Sequence, residues 1–251
     1  MDQVEKARTF KALHTQDTPL VLWNIWDAGS AKAVAQAGAA AIATGSWSVA
    51  AAQGFADGEA LPMADALRTA QQIVRAVEVP VTVDFEGGYA VSPEETAANA
   101  RLLMRTGAVG LNIEDRVVGA KGLHDISDHA ARIAAIRGIA QDAGLPFFIN
   151  ARTDVFFQGD TPAAEDLLEA ALERAAAYAQ AGADGLFVPG LSDLDLIAQI
   201  CARQPLPVNV MRMGGGVEIA DLAQAGVKRI SHGPGPYIAA MKSLGEASVT
   251  S

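Results

Sequence analysis

The chain has a single cysteine, Cys201, and an excess of acidic over basic side chains. One cysteine cannot form a disulfide within the chain, so a reducing compartment is expected and we predict a cytoplasmic location. The 29 acidic residues against 19 basic ones give a net charge of −10. Because an acidic surface repels nucleic acid and anionic lipid, we expect neither as a partner.

Long apolar runs are also lacking. None approaches the ~20 residues that a membrane-spanning helix needs. Residues 1–18 are polar and charged, unlike a secretory signal. We therefore expect an intracellular protein without membrane association. Aromatic residues are scarce at 6%, but half of all residues are apolar, which is enough for a large core.

Eight short apolar runs alternate with longer segments of helical periodicity. The runs cover residues 20–26, 40–44, 79–84, 109–114, 147–152, 185–189, 206–211 and 227–231. Short strands that alternate with helices predict βαβ units and a parallel sheet, that is, an α/β fold. Eight such units in 251 residues match a (β/α)8 TIM barrel, and we predict a single domain over residues 1–251. An open doubly wound sheet is the alternative arrangement of these elements.

Glycine or proline marks the start of seven of the eight predicted strands. Glycine just after a helix can adopt the left-handed conformation that ends the helix. Proline at the first position of a strand loses no ladder hydrogen bond. The positions are Gly38, Gly107, Gly182 and Gly226, and Pro80, Pro146 and Pro207.

Acidic residues collect where the third and fourth predicted strands end, at Asp84, Glu86 and Glu114. In αβ barrels the active site lies at this end of the strands. Converging carboxylates repel one another unless a cation lies between them, and oxygen ligands suit Mg²⁺. We predict a Mg²⁺ site, which Mn²⁺ could also occupy. The structural alternatives are a helix cap for Asp84 and an ion pair of Glu114 with Arg116 or Arg152.

Arg152 ends the fifth predicted strand, one strand beyond Glu114. A guanidinium group can hold a carboxylate with two parallel hydrogen bonds. This placement predicts an anionic ligand beside the metal. An ion pair at the barrel rim is the structural alternative for Arg152.

Five short segments carry a resemblance to a known family: Gly-Phe-Ala-Asp at 54–57, Asp-Phe-Glu-Gly-Gly-Tyr at 84–89, Asn-Ile-Glu-Asp at 112–115, His-Asp at 124–125 and Asn-Ala-Arg-Thr at 150–153. In this order they resemble the isocitrate lyase / phosphoenolpyruvate mutase superfamily over nearly the whole chain. The resemblance implies an αβ barrel that binds Mg²⁺ and a small anionic 2-oxo or 2-hydroxy acid. It also implies C–C or P–C bond chemistry through an enolate-like intermediate, and a homo-oligomer.

The resemblance further implies roles for individual residues. Asp84 corresponds to the direct Mg²⁺ ligand, Glu86 and Glu114 hold waters of the metal, and Asp57 faces the metal shell. Residues 116–128 resemble a mobile gating loop. Together with the strand ends, this predicts a catalytic set of Lys121, His124, Asp57 and Arg152. The predicted substrate-binding set is Gly45, Ser46, Trp47, Arg152, Asn209 and His232. The first three of these resemble a loop whose backbone N–H groups hold the substrate carboxylate.

The gating loop departs from two branches of the superfamily. Residues 119–124 read Gly-Ala-Lys-Gly-Leu-His, without the loop cysteine of isocitrate and methylisocitrate lyases or the loop asparagine of phosphoenolpyruvate mutases. We therefore predict a Mg²⁺-dependent C–C lyase, decarboxylase or hydrolase with little isocitrate cleavage. The alternatives are P–C bond chemistry on a phosphonate and a metabolite-binding barrel without turnover.

Overall fold

The computed structural model describes residues 1–157, 164–214 and 216–249. Its strands are β1 Leu20–Leu22, β2 Asn24–Ile25, β3 Ile42–Thr44, β4 Val81–Asp84, β5 Gly110–Glu114, β6 Phe148–Arg152, β7 Gly185–Val188, β8 Val208–Met211 and β9 Arg229–Ser231. Its helices are α1 Gln3–Leu13, α2 Ala28–Gln36, α3 Ser46–Ala52, α4 Met63–Ala76, α5 Pro93–Met104, α6 Ile126–Asp142, α7 Ala164–Gln180, α8 Leu194–Arg203, α9 Ile219–Gln224 and α10 Gly235–Ser248. A short 3-10 helix at Val155–Phe157 follows β6.

All the strands are parallel and form one sheet in the order β1-β9-β8-β7-β6-β5-β4-β3-β2. The two ends of that order, β1 and β2, are consecutive pieces of the chain separated only by Trp23. The sheet therefore closes on itself, which confirms the predicted (β/α)8 barrel and excludes the open doubly wound sheet. The first predicted strand is divided because its pairing changes from β9 to β3 at Trp23.

Side chains of the barrel strands alternate between two environments, as the two-residue period of a strand requires. In β5, Leu111 and Ile113 belong to the apolar core beneath the helices, whereas Asn112 and Glu114 bond to groups inside the barrel. The barrel interior is thus polar, and the apolar core lies between the barrel wall and the helices. The inward-facing polar side chains include Asp84, Asn112, Glu114, Asn150, Arg152, Asn209, Arg229 and Ser231.

The predicted glycine positions are confirmed. Gly38, Gly107, Gly182 and Gly226 have φ values of 96°, 95°, 98° and 93°, in the left-handed region. Each lies just beyond the end of a helix, so the chain can turn there and enter the next strand. This recurring turn gives the successive βα units their similar geometry.

Helix α1 covers the amino-terminal end of the barrel. Its Phe10 is fully buried with a ring centroid 5.4 Å from that of Phe148, and His14 stacks on Phe148 at 4.0 Å. Lys11 forms an ion pair of 2.7 Å with Asp184. Because this end is covered, the carboxyl ends of the strands are the accessible side of the barrel. Within the described ranges, no helix combines the length and apolar character needed to cross a membrane.

Candidate active site

The carboxyl ends of the strands surround a cavity of about 870 Å³. This volume is within the range of small-molecule sites. One part of its wall is apolar, with Trp47, Phe157, Phe187, Pro189 and Met211. The polar side chains on the wall are Asn24, Ser46, Asp57, Asp84, Asn112, Arg116, Lys121, Arg152, Asp154 and Ser231.

Asp84, the last residue of β4, is held at both carboxylate oxygens. Its Oδ2 accepts hydrogen bonds from the Ser46 backbone N at 3.2 Å and from Ser46 Oγ at 2.7 Å. Its Oδ1 accepts from Asn112 Nδ2 at 3.3 Å. A carboxylate offers about four lone-pair sites, so this bonding leaves acceptor capacity towards the cavity.

The Ser46 loop differs from the expected arrangement. Its backbone N–H groups were expected to hold a substrate carboxylate, but Ser46 N donates to Asp84 and Gly45 N donates to Ile25 O at 3.1 Å. The carboxylate of Asp84 lies at the start of α3, where backbone N–H groups favour negative charge. Gly45, Ser46 and Trp47 nevertheless all line the cavity, and their substrate-binding role stays a prediction.

Glu86 and Glu114 lie two residues beyond the paired Asp84 and Asn112, and neither is among the residues that line the cavity. Glu86 Oε2 accepts from Glu59 N at 2.7 Å, and Glu114 Oε2 pairs with Arg152 Nη1 at 2.9 Å. Burial raises the pKa of Glu86 to about 7, and the nearby charges of Asp84 and Asp57 also raise it, against the Glu59 N–H. Burial likewise raises the pKa of Glu114, although Arg152 opposes that rise.

The backbone around Glu86 is strained. Glu59, Glu86 and Tyr89 have φ values of 59°, 50° and 55°, a region that residues with side chains rarely adopt. They are linked to one another, because Glu59 N donates to Glu86 and Tyr89 N donates to Glu59 Oε1 at 2.7 Å. Buried Arg132 donates to the carbonyl of Gly87 and so fastens the same loop. Sequence reasoning missed Glu59 and Arg132, since neither stands at a strand end.

Arg152 has ion pairs on both sides of its guanidinium group. Its Nε and Nη2 donate to the two oxygens of Asp154 at 2.6 and 2.9 Å, and its Nη1 pairs with Glu114. Burial lowers the pKa of Arg152, but Glu114 and Asp154 outweigh that effect, so the pKa is raised overall. The ion pair considered for Glu114 and Arg152 is present. A carboxylate clamp by Arg152 stays a prediction that requires exchange of these partners.

The donor set fits a hard divalent cation. Asp84 and Asp57 both line the cavity, and burial together with the charge of Asp84 raises the pKa of Asp57. A cation would relieve this repulsion. In the part of the chain that the structure describes, no group of three or more His, Cys, Asp or Glu has the geometry of a metal site. Mg²⁺ usually keeps several waters and takes one or two carboxylates directly, so such a group is not required.

The segment after β5 folds over the cavity as a short hairpin. Arg116 and Leu123 form an isolated antiparallel bridge, and Val117 N donates to Gly122 O at 3.1 Å. Arg116 and Lys121 line the cavity from this hairpin. Lys121 was predicted as a catalytic residue, whereas Arg116 was considered only as an ion-pair partner of Glu114 and as the first residue of the gating loop.

Three further predicted residues, besides Glu86 and Glu114, are not among those that line the cavity. His124 lies at the base of the hairpin, where its backbone N donates to Asp115 O at 2.7 Å, and burial lowers its pKa. Asn209 lies deeper in the barrel and bonds to Ser231 Oγ at 3.1 Å. His232 stacks on Trp23 with ring centroids 4.3 Å apart. Catalysis by His124 and substrate binding by Asn209 and His232 stay predictions that this geometry does not favour.

Comparison with known proteins decides the family. The family model of phosphoenolpyruvate phosphomutase matches residues 10–250. The chain belongs to this family. It thereby belongs to the isocitrate lyase / phosphoenolpyruvate mutase superfamily, as the resemblance in the sequence predicted, whose relatives here include lyases, decarboxylases and mutases.

Three relatives show how far the similarity extends. A crystal structure of a candidate phosphonomutase from Burkholderia cenocepacia J2315 is 52% identical with a TM-score of 0.95, and 99% of each chain is covered. An uncharacterised protein of Mycobacterium tuberculosis (strain ATCC 25618 / H37Rv) is 36% identical over 247 residues, which are 96% of this chain and 87% of that protein. An oxaloacetate decarboxylase of Pseudomonas savastanoi pv. phaseolicola is 29% identical over 245 residues, covering 94% of this chain and 81% of that enzyme. The family therefore comprises enzymes that act on small carboxylic acids, together with phosphonate mutases.

Proposed function

We propose that this chain is a Mg²⁺-dependent lyase for a small 2-oxo or 2-hydroxy carboxylic acid. The reaction would be C–C cleavage, decarboxylation or hydrolysis through an enolate-like intermediate. The observation that carries this proposal is Asp84, which Ser46 and Asn112 orient at a cavity that also presents the cations Arg116 and Lys121. A metal ligand and anion-binding groups thus share one small cavity.

In this proposal Asp84 holds the metal directly, and Asp57, Glu86 and Glu114 act through water. Mn²⁺ satisfies the same oxygen donors and could replace Mg²⁺. When bound, the cation supplies Lewis-acid stabilisation for negative charge that develops on a substrate oxygen.

The cations of the hairpin would bind the substrate anion. Neither Arg116 nor Lys121 forms an ion pair with another described residue, whereas Arg152 is paired with Glu114 and Asp154. Arg116 and Lys121 can therefore take a carboxylate without giving up a partner. The hairpin would also exclude water from the reacting atoms. Phe187, Pro189 and Met211 would contact the carbon chain of the substrate.

The relatives support this reaction class, and one of them also supports a second candidate reaction. The oxaloacetate decarboxylase relative covers 94% of this chain, which favours removal of a carboxyl group from a 2-oxo acid. The Burkholderia relative is 52% identical and is named a candidate phosphonomutase. Chemistry at a P–C bond is therefore the second candidate function, with Arg116 and Lys121 binding the phosphonate.

We propose one domain over residues 1–251, a cytoplasmic location and a homo-oligomer. Ile238, Met241 and Leu244 of α10 are exposed, and α10 has no buried residue. A second copy of the chain could cover this apolar face.

Mg²⁺ is expected to raise the melting temperature, and to raise it more at pH 8 than at pH 5.5. The pKa of Glu86 is raised from 4.5 to about 7 in the fold, so the folded chain favours the protonated form of this group. Without metal, the contribution of Glu86 to stability is therefore fully present below pH 4.5 and is lost as the pH rises through 7. Mg²⁺ favours the ionised form and should offset the loss. At a hundredfold excess of Mg²⁺ over its Kd, linkage stabilises the fold by about 2.7 kcal/mol, which raises the melting temperature by about 5–10 °C for a chain of this size.

Scanning calorimetry with Mg²⁺ or EDTA, at pH 5.5 and pH 8, measures these melting temperatures. The same melting temperature in both, at both pH values, would argue against a metal at this site.

Replacing Arg116 or Lys121 by methionine should weaken binding of a 2-oxo dicarboxylate more than binding of a 2-oxo monocarboxylate. A hydrogen bond to a charged group contributes about 1.5–3 kcal/mol, so the loss should be about tenfold or more. Calorimetric titration of oxaloacetate and pyruvate in the presence of Mg²⁺ gives the two affinities. Lys32→Met, an exposed change on α2, is the control. Equal losses of affinity for the two acids would show that the hairpin cations do not bind the second carboxylate.

A further inference from the structure

Arg229, at the start of β9, is a charged residue inside the barrel. It is 1% exposed, and its guanidinium group lies 5.9 Å from the ring centroid of Phe10. Its Nη2 donates to Asn112 Oδ1 at 3.2 Å across the barrel. Its Nε and Nη1 have no hydrogen-bond partner within the described part of the chain. Burying a charge with so few partners destabilises a fold, so stability of the fold does not account for an arginine at this position.

Arg229 helps to fix the orientation of the Asn112 amide. Asn112 Oδ1 accepts from Arg229 and also from Asn150 Nδ2 at 2.9 Å. With two donors on its oxygen, the amide must turn its Nδ2 the other way, where it donates to Asp84 Oδ1 at 3.3 Å. An inverted amide would set its N–H groups against two donors and its oxygen against the carboxylate of Asp84.

The same bonds anchor Asn112 to neighbouring strands. Asn112 lies next to Asp84 and Asn150 in the register of the sheet. Asn150 Nδ2 also donates to Asn209 Oδ1 at 3.1 Å, and Asn209 lies next to Arg229. Arg229 therefore acts on Asp84 through one amide that is supported from several sides.

The positive charge of Arg229 acts on Asp84 in addition to the hydrogen bonds through Asn112. Burial lowers the pKa of Arg229 to about 9, and the opposing effect comes from the charge of Asp84. Arg229 is thus still a cation at neutral pH. Because opposite charges attract, this cation deeper in the barrel stabilises the Asp84 carboxylate at the cavity.

We propose that Arg229 is a positioning residue for Asp84. It holds the Asn112 amide so that its N–H points at the carboxylate, and it places a compensating positive charge deeper in the barrel. The inference rests on the proposed function only where it treats Asp84 as a cation ligand. Partners of this kind around metal ligands typically contribute 10–100-fold in metal affinity.

The first test is Mg²⁺ titration of the metal-stripped full chain by calorimetry. Arg229→Met is expected to weaken Mg²⁺ binding about tenfold or more, and Arg229→Lys, which keeps the charge, to recover part of the loss. Arg137→Met is the matched control, since Arg137 is a partly buried arginine on α6 that pairs with Asp184. This control should lower stability and leave Mg²⁺ affinity within about twofold of wild type. A folded Arg229→Met protein with wild-type Mg²⁺ affinity would overturn the inference.

The second test measures stability in EDTA and therefore does not depend on bound metal. Once Arg229→Met has broken the bond to Asn112, Asn112→Leu has one bond fewer to remove, so the double variant should lose less stability than the sum of the two single changes. In EDTA the two changes should be non-additive in melting temperature, because both break one network. With Mg²⁺, the double variant should bind no more weakly than Asn112→Leu. Additive effects in EDTA would refute the network. If the two changes are non-additive in EDTA but the wild-type chain binds no Mg²⁺, the network is supported and the metal proposal is overturned.

Discussion

Replacing Asp84 by asparagine is expected to abolish Mg²⁺ binding and turnover without lowering the melting temperature. The amide has nearly the same shape but lacks the charge that a direct ligand supplies. The loss of Mg²⁺ affinity should exceed the 10–100-fold expected for a residue that acts through water or another side chain. The melting temperature should not fall, because the loss of the repulsion by which Asp84 raises the pKa of Asp57 and Glu86 offsets the loss of one accepted hydrogen bond and of the attraction to Arg229.

Calorimetric Mg²⁺ titration and a thermal melt in EDTA measure the two effects of Asp84→Asn. Asp193→Asn is a matched control, because Asp193 caps α8 through bonds to Asp195 N and Leu196 N and asparagine caps helices equally well. The control should leave both quantities unchanged. If Asp84→Asn binds Mg²⁺ within tenfold of wild type, Asp84 is not the direct ligand.

Replacing Arg152 by methionine should have the largest effect on stability. Arg152 is buried and makes the compensating ion pairs of Glu114 and Asp154, at 2.9 and 2.6 Å. Removing one partner of a buried pair destabilises by about 3–5 kcal/mol, on the order of 10 °C for a chain of this length. The sequence alone had suggested a role in turnover more than in stability. These ion pairs add a structural role, and turnover should also fall.

The Arg152 effect should be larger at pH 8 than at pH 5.5. Without its cation, buried Glu114 takes up a proton as pH falls, which removes part of the uncompensated charge. Arg203→Met is the matched control, since Arg203 also donates to both oxygens of one carboxylate, Glu169, at 2.7 and 2.9 Å. That pair is exposed and screened by solvent, so its loss should change the melting temperature little. Equal melting shifts for the two variants would contradict the role given to Arg152.

The barrel could be predicted because its causes are local. Strands and helices have different apolar periods, and glycine ends four helices at regular places. Parallel strands bring their carboxyl ends together, so Asp84 and Arg152 could be placed at one cavity before the structure was known. Asp57 and Lys121, which do not end a strand, were placed there by the resemblance to the superfamily.

Apart from the ion pair of Glu114 with Arg152, the bonding within the site could not be predicted, because it depends on long-range pairing. Glu86 bonds to Glu59, a loop residue 27 positions earlier. Asn209 precedes the end of β8 at Met211 by two residues, so its side chain lies one layer below the cavity rim. Arg229 belongs to a run that reads as an apolar strand, and its inward direction follows only from the register of the barrel. Periodicity identifies the inner face of a strand but not which partner lies across it.

The central claim is Mg²⁺-dependent turnover of a small 2-oxo or 2-hydroxy acid. The most direct test incubates the metal-stripped full chain with 2-oxo acids, 2-hydroxy diacids, isocitrate, methylisocitrate and phosphonopyruvate, each with Mg²⁺ or EDTA, and follows products by proton and phosphorus NMR. We expect product from a small 2-oxo or 2-hydroxy acid with Mg²⁺, none with EDTA, and little from isocitrate or methylisocitrate. Undiminished turnover in EDTA, or binding of these acids with no product from any of them, would contradict the account.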